Sequence, residues 1–109
     1  MEIATFENPL EAEMARAALG AAPDRLLGLA VTRRGYGRPT RHIRIVEAGH
    51  PVPDAAGLKA TEDTLRLADT ATANDRVLVL LSGGASANWI APASGISLSD
   101  KQEVTRALL

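Results

Sequence analysis

Residues 76–86 read RVLVLLSGGAS, and this stretch decides the fold. Its first part, from Arg76 to Leu81, is apolar on both faces, which is typical of a central parallel strand covered by helices on two sides. A serine and two glycines follow at the point where the strand ends. Because ligands bind outside the carboxyl ends of strands in open α/β sheets, the same stretch predicts where a site lies.

Outward from this segment, strand patterns alternate with helical ones. Strands are predicted over residues 2–6, 28–32 and 43–46, the last with Ile43 and Ile45 on one face and Arg44 and Val46 on the other. Strands that alternate with helices, some of them apolar on both faces, indicate an α/β fold with a mostly parallel sheet.

Three helices carry start signals. Asn8 is the predicted N-cap of a helix that runs through Leu19 and stops at Gly20, with Pro9 at its first position. Asp54 caps the second helix, and Ser97 or Ser99 caps the last. Side chains at helical spacing predict the buried face of the second helix, namely Leu58, Thr61, Leu65 and Ala68.

Length and composition limit which classes of protein this chain fits. The 109 residues allow a single domain, and a net charge of −1 gives no general bias towards nucleic acid or acidic membranes. There is no cysteine, no apolar run as long as a membrane span and no basic signal-like start, so we expect a cytoplasmic location. The last helix is still apolar at Leu109, which favours reading residues 1–109 as one partial domain, a fragment of a larger design.

The glycine-containing loop is the first candidate site. Gly83 and Gly84 allow close backbone approach to an anion, and Ser82 and Ser86 add hydroxyl groups. A tight turn between strand and loop would also account for the two glycines. His50, between Gly49 and Pro51 in a second loop, is able to bind an anion or act as an acid or base, but it is also what a simple turn residue looks like.

Arginines are dense between Arg33 and Arg44, around the single tyrosine, Tyr36. We expect a solvated loop or a contact to a neighbouring domain, with nucleic-acid binding by phosphate contacts and one stacked base as the alternative. The lone aromatic and the acidic remainder of the chain disfavour nucleic acid. No spacing typical of metal ligands, no Ser-His-Asp arrangement and no complete phosphate-loop motif is present.

Four segments, in order, carry a family resemblance: GLAVTR (28–33), EAGHPVPDAAG (47–57), LSGGASA (81–87) and SDKQEVTRALL (99–109). The chain resembles the N-terminal domain of MOFRL-type glycerate 2-kinases, a family often labelled hydroxypyruvate reductase. The resemblance implies a Rossmann-like domain and phosphorylation of D-glycerate at its 2-hydroxyl with ATP and Mg²⁺. It also implies that Ser82, Gly83, Gly84 and Ser86 line the substrate or phosphate side of a cleft, with His50 nearby.

Two departures from that pattern bear on activity. The family has a third glycine where this chain has Ala85, and aliphatic residues at Asn88 and Trp89. It also has a Gly-Ala-Gly-Lys turn with a catalytic lysine after its first strand, whereas Phe6-Glu7-Asn8-Pro9 stands here and no lysine precedes Lys59. We therefore expect this chain to be inactive alone, with its catalytic residues unknown.

Two further hypotheses belong to other classes. One is that the chain is a binding or assembly module that kept the fold without the chemistry. The other is that it reduces hydroxypyruvate. The Gly-x-Gly-x-x-Gly fingerprint of dinucleotide binding, which is absent, disfavours the reductase. An exposed sheet edge and an uncovered final helix predict self-association, most simply as a two-fold dimer.

Overall fold

The computed structural model describes residues 2–5, 8–18, 20 and 25–109, and it shows a parallel sheet flanked by helices. In chain order the elements are β1 (Glu2–Thr5), α1 (Pro9–Ala18), β2 (Leu27–Arg33), β3 (Arg44–Ala48), α2 (Ala55–Asp69), β4 (Val77–Leu80), α3 (Ala85–Asn88) and α4 (Leu98–Leu108). The strands lie in the order β3-β2-β1-β4 and every pairing is parallel. The predicted α/β class and parallel Rossmann-like sheet are confirmed.

Strand β2 forms the centre of the core. Leu29 and Val31 point to one face, where they pack with Ala48 of β3 and Ala60 of α2. Ala30 points to the other face and packs beneath α1. The two faces predicted for β3 are confirmed, because Ile43 and Ile45 join the α1 side while Val46 joins the α2 side.

The prediction that the strand from Arg76 is central and covered on both sides is wrong for the part of the chain that the structure describes. Strand β4 lies at the end of the sheet, beside β1. Leu78 and Leu80 pack on the α1 side, but Val77 and Val79 on the opposite side are 50% and 47% exposed. Helix α2 packs mainly over β3 and β2, so its layer does not reach this end of the sheet.

Helix starts follow the predicted caps. The Asn8 side chain accepts a hydrogen bond from the Leu10 N–H at 3.1 Å, and the Asp54 side chain accepts one from the Gly57 N–H at 3.0 Å. At α4, Ser97 rather than Ser99 is the cap, in a reciprocal capping box with Asp100. Gly20 follows α1 with a φ of +63°, as its predicted role requires, while Phe6 and Leu19 lie outside the described residues.

The buried face of α2 differs from the prediction. Its buried residues are Gly57, Ala60, Thr61 and Thr64, whereas Leu65 is 51% exposed. The threonine hydroxyls donate to backbone oxygens one turn earlier, from Thr61 to Gly57 and from Thr64 to Ala60, so they are buried without loss of hydrogen bonding. A face of small residues brings α2 closer to its neighbours than leucines would allow.

The closest approach lies between α2 and the end of α3. A Cβ atom placed on Gly57 would stand 2.4 Å from the backbone oxygen of Asn88. The Asn88 side chain is fully buried and donates from Nδ2 to the oxygens of Gly49 at 3.1 Å and Ala48 at 3.4 Å. Its Oδ1 is buried with no hydrogen-bond partner in the described part of the chain. Asn88 therefore ties the segment after β4 to the loop after β3.

We expect Gly57→Ala to lower the free energy of unfolding by about 1–3 kcal/mol, although alanine is the better helix former. The added methyl group would displace the Asn88 backbone, and a well-packed junction has no room to absorb that shift. Thermal unfolding followed by circular dichroism measures the effect, with Gly83→Ala as the control because no atom lies within 4 Å of its added Cβ. Equal losses in the two variants would contradict the account of this junction.

Asn88→Asp should destabilise the chain in a manner that depends on pH. A carboxylate at this position faces two carbonyl oxygens in a buried site, so its pKa should rise above the ordinary value. Raising the pH through that pKa then costs stability, and the loss should reach about 3 kcal/mol or more at pH 7 and shrink towards pH 4. Urea unfolding of Asn88→Asp against Asn88→Ala tests this, because the loss in the alanine variant, about 1–3 kcal/mol, has no such dependence. A flat difference across this range would refute it.

Candidate functional site

A cavity of about 440 Å³ opens at the carboxyl ends of the central strands. It is lined by Asn8, Pro9, Leu10, Glu11, Arg33, Tyr36, Arg38 and Ser82. These residues come from the start of α1, the end of β2 with its following loop, and the loop after β4. Strand β1 has β2 on one side and β4 on the other, so the chain reverses its direction of travel across the sheet here. Such a topological switch point is where open α/β sheets bind their ligands.

Of the residues predicted to form a site, Ser82 lines this cavity. Its hydroxyl oxygen is buried and has no hydrogen-bond partner in the described part of the chain. Gly84 has a φ of +82° at the N-cap of α3, a conformation that favours glycine, while no atom lies within 4 Å of a Cβ added to Gly83. Ser86 is exposed on α3.

Ala85, at a position where the resemblance implies glycine, causes no backbone strain. It is the first residue of α3, and no described residue other than glycine has a positive φ. The methyl group of Ala85 packs towards the cluster that contains Leu29 and Val31. The loop therefore accommodates alanine at this position, with the left-handed conformation confined to Gly84.

His50 lies in the loop after β3 and is exposed. It is not among the residues that line the cavity, so the structure does not bring it together with Ser82 there. The connection between the two loops is indirect and runs through Asn88, which donates to the Gly49 oxygen. Asn88 therefore connects the segment after β4 to the loop that contains His50, while Ser82 lines the cavity beside the start of α1.

Asp54 closes the His50 loop and also begins α2. Partial burial alone would raise its pKa, but hydrogen bonds from the N–H groups of Gly57 and Gly49 and the charge of Arg34 lower the pKa below its ordinary value. Arg34 forms an ion pair with this carboxylate. The loop is therefore held to the helix by a carboxylate that stays ionised at neutral pH.

Four arginines of the arginine-rich stretch fall into two groups, which the sequence alone did not separate, and Arg41 belongs to neither. Arg34 pairs with Asp54, and Arg44 pairs with Asp63 at 2.8 Å. Asp63 also accepts from Lys59, and these hydrogen bonds lower its pKa to about 2. Arg33 and Arg38, in contrast, line the cavity. The stretch is therefore not one continuous basic surface, and two of its arginines belong to the candidate site.

The turn that carries these two arginines is held by Glu47 of β3. One carboxylate oxygen of Glu47 accepts from the Gly35 N–H at 2.8 Å and from the Gly37 N–H at 3.2 Å. Gly35 has a φ of +85°, which lets the chain fold back so that the Tyr36 N–H donates to the Arg33 oxygen. The Arg33 guanidinium carbon then lies 3.7 Å from the centre of the Tyr36 ring. Glycines on either side of the tyrosine were the signal for this turn.

Two kinds of feature are absent from the described residues. They contain no group of three histidine, cysteine, aspartate or glutamate side chains placed to hold a metal ion. Likewise, no helix within the described ranges is long and apolar enough to cross a membrane. The side chains that line the cavity supply guanidinium, hydroxyl, amide and carboxylate groups.

Comparison with known proteins identifies relatives of this arrangement. A glycerate 2-kinase of Pyrococcus horikoshii is 43% identical over 82 residues, which cover 75% of this chain and 19% of the relative. A D-glycerate 2-kinase of Thermotoga maritima is 46% identical over 83 residues, which cover 75% of this chain and 20% of the relative. The chain thus spans about a fifth of the length of these curated relatives.

The fold agrees with a solved member. The crystal structure of a glycerate kinase of Thermotoga maritima superimposes with a TM-score of 0.76 at 38% identity, covering 98% of this chain and 26% of that one. A family model described as a domain of unknown function, DUF4147, matches residues 11–109. The chain belongs to this DUF4147 family, the N-terminal domain of glycerate kinases.

Proposed function

We propose that this chain forms the substrate side of a glycerate 2-kinase site and does not turn over by itself. The observation that supports the proposal is the position of Ser82, at the switch-point cavity of a sheet that matches a glycerate kinase. In this proposal Ser82, Gly83 and Gly84 face the glycerate or its phosphate, while Ser86 and His50 lie at the edge of the cleft. Residues 1–109 act as one partial domain, located in the cytoplasm.

Phosphoryl transfer requires cations around the transferring group that this chain does not supply alone. The transferring group carries negative charge that cations and N–H donors must neutralise while the reacting oxygens are held in line. The family lysine that the resemblance places after the first strand has no counterpart here, since the first lysine of the chain is Lys59. Lys59 pairs with Asp63 on the outer surface of α2. Binding without turnover is the expected behaviour.

ATP and Mg²⁺ enter this proposal differently. The arginines and N–H groups at the cavity fit the phosphate groups of a nucleotide. The described residues supply no cluster of carboxylates for a Mg²⁺ ion, so we assign no step to the metal.

A coupled ADP-release assay with D-glycerate, ATP and Mg²⁺ should show no turnover above the rate without protein. The same preparation should raise its melting temperature when D-glycerate is added, because a ligand that binds only the folded state stabilises it. The T. maritima glycerate kinase serves as the positive control for the assay. Steady release of ADP by this chain would contradict the claim that it is inactive by itself. A melting temperature unchanged by D-glycerate would contradict the claim that it binds this substrate.

A second candidate function is assembly, and the uncovered apolar surface favours it. Leu27, Val77, Val79 and Leu81 are each about half exposed or more. We infer that a second copy of this chain covers that surface as a homodimer. Sedimentation velocity at micromolar concentration should then show a dimer that Val79→Lys dissociates. A monomer at every concentration would exclude self-association.

A further inference from the structure

We propose that Arg33, Tyr36 and Arg38 form a receptor for a single oxyanion, with Arg33 and Arg38 as the groups that contact it. The anion is the carboxylate or phosphoryl group of a small ligand in the cavity beside Ser82. This inference rests on the proposed function for the identity of the ligand but not for the position of the receptor.

Position and pairing together distinguish two arginines. Four arginines outside the cavity form ion pairs with carboxylates: Arg16 with Glu13, Arg34 with Asp54, Arg44 with Asp63 and Arg66 with Glu62 and Asp63. Other arginines, such as Arg41 and Arg76, are not in such pairs among the described residues, but they do not line the cavity. Within the described residues, neither Arg33 nor Arg38 forms an ion pair. Both line the cavity, where Glu11 is the described carboxylate. Among the described lining residues, positive charges exceed negative charges by one, and a bound anion would balance this excess.

Arg33 is held in place before any ligand arrives. Its guanidinium lies over the Tyr36 ring, 3.7 Å from the ring centre, and this stacking leaves the edge N–H groups of the fork free to donate. Tyr36 in turn sits in the turn fixed by two hydrogen bonds to Glu47. Since the stack orders Arg33 without neutralising it, less conformational entropy is lost when an anion binds.

Arg38 and Ser82 complete the receptor from two other segments. One Arg38 nitrogen donates to the Gly37 oxygen at 2.9 Å, which anchors the side chain and leaves its remaining donors for a ligand. The Ser82 hydroxyl has no described hydrogen-bond partner, so a rotation about its Cα–Cβ bond would offer one further donor to the anion. A cavity of about 440 Å³ accepts a small acid or a phosphate but not a nucleic-acid backbone, which needs a groove.

Isothermal titration of the full chain with D-glycerate and, separately, with inorganic phosphate tests the receptor. Arg33→Gln and Arg38→Gln should each weaken binding of the recognised anion by about tenfold. Arg66→Gln is the matched control, because it removes the same charge from an exposed arginine on α2 and should leave the dissociation constant unchanged. Tyr36→Phe should retain affinity, whereas Tyr36→Leu should lose several-fold because the stack is gone.

Each outcome separates the receptor from the proposed substrate. D-glycerate binding that weakens in Arg33→Gln and Arg38→Gln supports both. If D-glycerate binds these variants and the native chain equally, the proposed role of Arg33 and Arg38 is wrong, while D-glycerate remains supported as the ligand. Phosphate binding that depends on Arg33, with no binding of D-glycerate, supports the receptor and overturns the substrate. An equal loss in Arg66→Gln would show a general effect of net charge and overturn the receptor, as would absence of binding by both anions.

Discussion

The structure depends on the burial of β2 on both faces. Residues Leu29, Ala30, Val31 and Thr32 are at most 3% exposed, so a layer is required on each side of the sheet. Helix α1 supplies one layer through Ala12, and α2 supplies the other through Ala60. Two helical crossovers meet this requirement, since α1 between β1 and β2 and α2 between β3 and β4 cover opposite faces of the sheet, while residues 34–43 join β2 to β3 without a helix. The order β3-β2-β1-β4 is the result, and the switch point beside β1 comes with it.

Small residues determine how closely these layers approach. The face that α2 buries consists of Gly57, Ala60, Thr61 and Thr64, and the core contains few large side chains. With so little bulk to fix its position, the α2–α3 junction relies on one buried amide, that of Asn88. The unpartnered Oδ1 of Asn88 is a cost that an aliphatic residue would not carry, while its Nδ2 holds the loop after β3. The arrangement links the two loops that flank the site.

Sequence patterns predicted the layers and caps, because those are local. Asn8, Asp54 and Ser97 each cap the helix that they were expected to start, and the faces of β3 are as alternation predicted. The position of β4 at the end of the described sheet was missed, since an apolar strand looks the same wherever its covering layers come from. Of the face predicted for α2, Thr61 is buried, but Leu65 is exposed, because close packing selected the small residues Gly57, Ala60 and Thr64 for the rest of the buried face.

The part of the candidate site that depends on local sequence was also predictable. Ser82 and the glycines follow directly from the strand-to-loop pattern, and Ser82 does line the cavity. Arg33 and Arg38 could not be separated from Arg34 and Arg44 by sequence, because the separation depends on which carboxylates α2 places nearby. For His50 the sequence left open an anion-binding or acid–base residue and a simple turn residue. It lies apart from Ser82 because β3 and β4 are at opposite ends of the described sheet, with β2 and β1 between them.

The central claim is that ligand binds at the switch point between β1 and β4. The most direct measurement is a titration of the ¹⁵N-labelled chain with D-glycerate, followed by the amide signals of each residue. The account predicts saturable shifts at Ser82, Gly83 and Gly84 and at the start of α1, with α4 unchanged. Shifts confined to α4 and the loop before it, with the glycine loop unaffected, would contradict it.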